Sequence, residues 1–229
     1  MAIAAVRPHR IVVGGQAYRS TMRLDVMLAT LACVLVATGC STATTPVTAE
    51  YDESLSQALP TEGIIGRSVG GIALPDVSDG GVPFTLRAEP DGLLIVYFGF
   101  TSCPDICPTT LSDVKSALSE LGEARDHVTT AMVTVDPERD LDATLDAYLR
   151  FFVPDGHALR TGDDALLRAA ADAFGADYDV IKASDGNVEV THTAYLYGVD
   201  DTGEIEIVWP FGAEPDRIRS EIEGFLERG

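Results

Sequence analysis

The stretch Leu93-Leu94-Ile95-Val96-Tyr97-Phe98 is apolar at every position, with none of the polar alternation of a half-exposed strand. A strand that shows water neither face lies inside a sheet covered on both sides. The chain must therefore supply helices for both covers. It does so in order. Gly71–Leu74 and Val82–Leu86 flank the turn-rich Asp-Val-Ser-Asp-Gly-Gly, which predicts a hairpin before the apolar strand. After the strand, Leu111, Val114, Leu118 and Leu121 fall at helical spacing and predict a helix over 108–123. Ala131–Val135 reads as a second buried strand, followed by helices over 141–152 and 164–174. Residues 194–199 and 204–209 form a hairpin across Asp-Asp-Thr-Gly, and 215–227 is a closing helix. This order predicts a three-layer α/β sandwich. The nearest architecture is the thioredoxin-like fold with an N-terminal β-hairpin.

Four cysteines fall into two local pairs, too few for a disulfide scaffold in a chain of 229 residues. Cys103 and Cys107 sit where the apolar strand gives way to the first long helix. Unpaired N–H groups and the positive dipole end of a helix favour thiolate there, and thiolate is the form that attacks disulfides or binds metals. Three readings of the pair stand side by side. A structural disulfide across so short a loop would constrain little unfolded-state entropy. A thioredoxin-type redox pair has two intervening residues, whereas this one has three. Two thiolates also suit a soft ion such as Cu(I), with a third ligand completing a trigonal site. His9, His127, His157 and His192 are the candidates for that ligand. His9 lies in the N-terminal segment; His127 and His157 read as surface residues. His192 ends a polar loop just before a core strand. In a thioredoxin-like fold that loop packs beside the helix end bearing the cysteines.

The other pair belongs to an export signal. Residues 26–37 are an apolar run too short to span a bilayer comfortably, preceded by Arg7, Arg10, Arg19 and Arg23. The run ends in Ala37-Thr38-Gly39-Cys40, like a lipobox with Ala37 in place of the usual Leu. We expect residues 1–39 to be a signal peptide, discarded together with Cys33, and Cys40 to be lipidated. Residues 40–62 then form a flexible tether and 63–229 the folded domain. A plain cleaved signal is the competing reading, and translation could start at Met1 or Met22. The net charge of −20 argues against a nucleic-acid partner, which needs a basic footprint. Loss of residues 1–39 takes four Arg and one Asp and leaves −23.

With these residues in hand, most of 63–229 resembles the Sco/SenC family of copper chaperones for cytochrome c oxidase assembly. The resemblance rests on four segments in the family's order. They are Tyr97-Phe98-Gly99-Phe100-Thr101-Ser102-Cys103-Pro104-Asp105-Ile106-Cys107-Pro108; Val135-Asp136-Pro137-Glu138-Arg139-Asp140, with Tyr148 in the helix beyond; Leu159-Arg160-Thr161-Gly162; and His192 ahead of Tyr195-Leu196. Leu141-Asp142 departs from the family's Thr-Pro, and the strand after His192 is longer than usual. The resemblance implies copper, as Cu(I) or Cu(II), held by Cys103, Cys107 and His192. It places Asp136 near that site, supporting the ligands or meeting a partner, although Asp136-Pro137 also reads as a plain turn former. It implies a lipid-anchored protein on the extracytoplasmic side of the cell membrane. The expected acceptor is the dinuclear copper site of oxidase subunit II, with other copper carriers or thiol reductants as further partners. A thiol–disulfide oxidoreductase that keeps the acceptor's cysteines reduced is the alternative; it needs the same sulfurs but not His192. A peroxidase of similar fold would need an Arg poised at one Cys, for which the sequence offers no clear residue.

Overall fold

The structure is a computed structural model and describes residues 63–228. The signal peptide, Cys33, Cys40, His9 and the whole tether lie outside the described residues. The N-terminal hairpin is formed by β1 (Ala73–Asp76) and β2 (Val82–Thr85), in the register Ala73 to Thr85 and Asp76 to Val82. Then follow β3 (Leu93–Gly99), α1 (Ile106–Ser119), β4 (Val128–Thr134), α2 (Asp142–Phe152), β5 (His157–Leu159) and α3 (Asp164–Phe174). The chain ends with β6 (Tyr178–Lys182), β7 (Val188–His192), β8 (Leu196–Val199), β9 (Ile205–Trp209) and α4 (Pro215–Leu226). Seven strands form one sheet in the order β2-β1-β5-β4-β3-β8-β9, and β6-β7 stand apart as a two-stranded ribbon.

Every residue of β3 is buried, as the apolar run requires. It pairs with β4 in parallel and with β8 in antiparallel. Alternate β3 side chains face opposite layers. Phe98 meets Phe174 of α3 and Tyr197 of β8 on one side, while Gly99 meets Cys107 of α1 on the other. Helices α2 and α4 pack beside α1. The three-layer thioredoxin-like sandwich is therefore present, and the C-terminal end of β3 becomes the mouth of a site.

Several boundaries differ from those expected. Helix α1 starts at Ile106 rather than 108, because Pro108 then falls in the first turn, where its missing N–H would have no partner anyway. It stops at Ser119, and the chain continues through a short 3-10 turn over Gly122–His127 into β4. Gly122 takes φ 59°, a conformation that ends the helix at little cost for glycine alone. His127 is exposed, as expected. His157 is not a plain surface residue. It opens β5, half-buried, with Nδ1 2.7 Å from the buried Asp76 carboxylate and its ring 4.3 Å from Phe84. His192 closes strand β7 rather than a loop.

Candidate metal centre

The loop from β3 to α1 is held from below. The Asp140 carboxylate has no exposure to water. It accepts the Thr101 N–H at 3.0 Å, the Thr101 hydroxyl at 2.5 Å and the Thr134 hydroxyl at 2.6 Å. These bonds tie the end of β4 to the residues that lead into Cys103. Sequence reasoning passed over Asp140; its only signal was its place at the close of Val135–Asp140.

Cys103 itself lies before the helix, not on its face. Its sulfur accepts the N–H of Cys107 at 3.3 Å and so does the work of a helix cap. The Asp105 side chain at the N-cap position makes no such bond. Cys103 is half-buried and Cys107 buried, and both are free thiols. The Cys107 sulfur rests against Gly99. A Cβ there would stand 3.3 Å from the sulfur and 2.6 Å from a ring carbon of Tyr97. Gly99 is thus a second residue whose function was not legible beforehand.

Cys107 overturns one expectation. Burial pushes its thiol up to about 12, and this outweighs the lowering contributions of Tyr97 and the Phe100 backbone. The helix end does not make Cys107 a standing thiolate. A metal must displace its proton.

His192 arrives from the β6-β7 ribbon, opposite Tyr178 in its ladder. Arg168 clamps that ribbon, 3.8 Å over the Tyr178 ring and bonded to the Tyr178 carbonyl at 3.0 Å. Lys182 pairs with Glu138 from the same ribbon. The imidazole stands edge-on to Tyr97 and Phe100, with ring centres 6.0 and 5.7 Å away. Nδ1 lies 3.1 Å from the Thr193 carbonyl, which can only accept. Nδ1 therefore carries the proton, and Nε2 turns its lone pair to the Cys107 sulfur at 3.5 Å. Burial lowers the imidazole pKa from its usual value, against the raising effect of the Thr193 carbonyl, so the ring is neutral at pH 7. A neutral imidazole with a fixed tautomer is the form that binds metals.

The donor atoms of Cys103, Cys107 and His192 all lie within 4.8 Å of one another. Ligands about 2.0–2.3 Å from an ion in a trigonal plane stand about 4 Å apart. The set therefore needs to contract by less than about 1 Å to close on one metal. The chemistry of the donors, two sulfurs and one imidazole, suits copper. Asp136 is not in this donor group. Its side chain is buried and pairs with Arg139, while its main-chain carbonyl accepts the N–H groups of Arg139 and Asp140, so the residue does shape the turn. Arg139 in turn lies 6.0 Å from the centre of the Phe100 ring that flanks His192. A cleft of about 560 Å³ lies elsewhere, beside Phe84, Thr129 and His157, and holds no sulfur.

A thioredoxin-like sheet with two thiols and an imidazole gathered at one strand end defines a protein of soft-metal or thiol chemistry. The comparisons narrow this class. The SCO1/SenC family model matches residues 79–227, and the chain belongs to the SCO1/SenC family. Protein SenC of Rhodobacter capsulatus is 28% identical over 200 residues, covering 87% of this chain and 89% of that protein. Copper-bound ScoI of Bradyrhizobium japonicum superposes with a TM-score of 0.59 at 28% identity, over 70% of this chain and 99% of that one. Apo Sco1 of Thermus thermophilus gives a TM-score of 0.61 at 32% identity, over 69% and 91%.

Proposed function

We propose that this chain is a copper chaperone. Lipidated at Cys40 and held on the extracytoplasmic face of the cell membrane, it delivers copper to the dinuclear site of cytochrome c oxidase subunit II. The observation that carries the reading is the convergence of Cys103, Cys107 and a neutral, correctly tautomeric His192 within 4.8 Å. The copper-bound state of the related Bradyrhizobium japonicum protein supports it.

Copper is the cargo here. Two thiolates and Cu(I) leave a net charge of −1, placed at the N-terminus of α1, whose dipole end favours it. The imidazole widens the range to Cu(II), which prefers nitrogen ligands. Cys103 is half-buried at a loop edge, so an incoming thiolate or imidazole has an approach before the first ligand leaves. Transfer is then an exchange of ligands in which no redox step is needed. A lipid anchor restricts the search to the membrane surface, and a tether of residues 41–62 gives reach.

The test is an anaerobic Cu(I) titration of the reduced full-length chain and its His192→Ala variant. One copper per wild-type chain and at least about tenfold weaker binding by the variant are expected. Equal affinity and stoichiometry in the two would refute the three-ligand reading. A thiol–disulfide role remains the second reading, favoured by Cys103, less buried than Cys107, as the attacking residue. It predicts that His192→Ala still reduces a partner disulfide while Cys107→Ser does not.

A further inference from the structure

Tyr97 has no exposure to water, yet its hydroxyl oxygen makes no hydrogen bond of normal geometry. A buried hydroxyl without a partner is costly, and native folds seldom keep one without a reason. Its polar neighbours are the Cys107 sulfur and the Thr110 hydroxyl. Thr110 donates its proton to the Ile106 carbonyl at 2.9 Å, and its oxygen makes no bond of normal geometry with the Tyr97 hydroxyl. Cys107, while a thiol, is a weak acceptor. A metal-bound thiolate is a far better one, and bonds to charged acceptors are the strong ones.

The location of the phenol is set by the chain. Tyr97 and Gly99 are on the same face of β3, and the absence of a side chain at Gly99 lets the Tyr97 ring and the Cys107 sulfur share that space. The Tyr97 ring thus packs beside the Cys107 sulfur before any metal arrives.

We propose that Tyr97 is a positioning residue that donates a hydrogen bond to the metal-bound thiolate of Cys107, a bond its hydroxyl does not make with normal geometry in the metal-free protein. The inference rests on the copper-binding reading above and deepens it. In the metal-free chain the orphan hydroxyl is a penalty. In the loaded chain the penalty becomes a bond. The difference favours loading and damps the electron-donating power of the sulfur, so it also tunes any Cu(II)–thiolate bond.

The consequence is a pair of effects with opposite signs. Tyr97→Phe removes the orphan hydroxyl and keeps the ring, so the metal-free protein should become more resistant to urea. The same change removes the donor, so Cu(I) should be held about tenfold less tightly, as read by competition with a Cu(I) chelator. With Cu(II), the sulfur-to-copper absorption band should move to longer wavelength, because a sulfur freed of a hydrogen bond gives up an electron more easily. Tyr197→Phe is the control. It also removes a buried, unpaired hydroxyl, but one packed against Phe98 and Phe174 on the opposite face of the sheet. It should stabilise the metal-free chain and leave both copper readouts unchanged.

The experiment uses the reduced full-length chain. Weaker Cu(I) binding together with greater metal-free stability in Tyr97→Phe supports the proposal. Copper affinity and spectrum equal to wild type would overturn it, as would a loss of affinity that merely tracks a loss of stability. A wild-type chain that holds no copper would instead refute the proposed function.

Discussion

Asp140→Ala tests whether the floor of the site is a working part of the fold. The substitution strands three donors: the Thr101 N–H, the Thr101 hydroxyl and the Thr134 hydroxyl. Hydrogen bonds to a charged acceptor contribute about 1.5–3 kcal/mol each, which gives a ceiling of about 9 kcal/mol. Two effects reduce it. Thr101 is only half-buried, so water can replace part of its loss. Removal of the carboxylate also removes the cost of keeping a charge out of water. Thr134 is fully buried and has no such relief. We expect a net destabilisation of about 3 kcal/mol, which at a urea m-value of about 2 kcal/mol/M lowers the midpoint by about 1.5 M. A double-mutant cycle with Thr134→Val isolates the shared bond and should return a coupling of about 1–2 kcal/mol. Copper binding should weaken as well, because Thr101 sets the path into Cys103. A midpoint shift below about 0.5 M, or a coupling indistinguishable from zero, would show that the carboxylate does not hold the loop.

Three further outcomes follow from the same geometry. Gly99→Ala forces a methyl to within 2.6 Å of the Tyr97 ring and 3.3 Å of the Cys107 sulfur. It should cost about 1–3 kcal/mol in urea unfolding and lower copper affinity, whereas an unchanged affinity would show that the sulfur has room to move. The copper affinity of the wild-type chain should rise with pH. Cys107, with its thiol pushed up to about 12, must release a proton on binding, which alone gives about tenfold per pH unit from pH 6 to 9. A titration flat over that range would refute this. The stability of the metal-free chain should fall on the acid side. His192 takes up a proton less readily when folded than when unfolded, so its stabilisation is present above about pH 6.5 and is lost as pH falls through its lowered folded value. Urea midpoints from pH 7 to 5, with His192→Gln as the comparison that flattens the slope, check this.

How far the sequence could be read depended on where each element buries its side chains. β3 was legible because two layers cover it, and α3 because one face of it is apolar from Leu167 to Phe174. The hairpins at both ends announced themselves by their turns. β5 escaped because three residues carry no periodicity, and the β6-β7 ribbon escaped because it buries no residue fully on either face. Its strands alternate only between half-exposed and exposed positions, so the pattern that marks a strand against a core is missing.

That ribbon is also where the site was least legible. The two cysteines share a five-residue segment, and a strand-to-helix junction places them together in any layered α/β chain. His192 is 85 residues beyond Cys107, on a ribbon outside the main sheet. Its nearness to the sulfurs depends on Arg168 against Tyr178, Lys182 on Glu138, and the rings of Tyr97 and Phe100. None of these contacts has a local sequence signature. The protonation of the pair was misjudged for a related reason. A helix N-terminus lowers a thiol pKa over one turn, and that much is visible in sequence. Burial raises it by more, and burial belongs to the folded chain alone. Copper loading must therefore proceed by displacing a proton from a buried thiol, with the neutral His192 lone pair already in place to receive the metal.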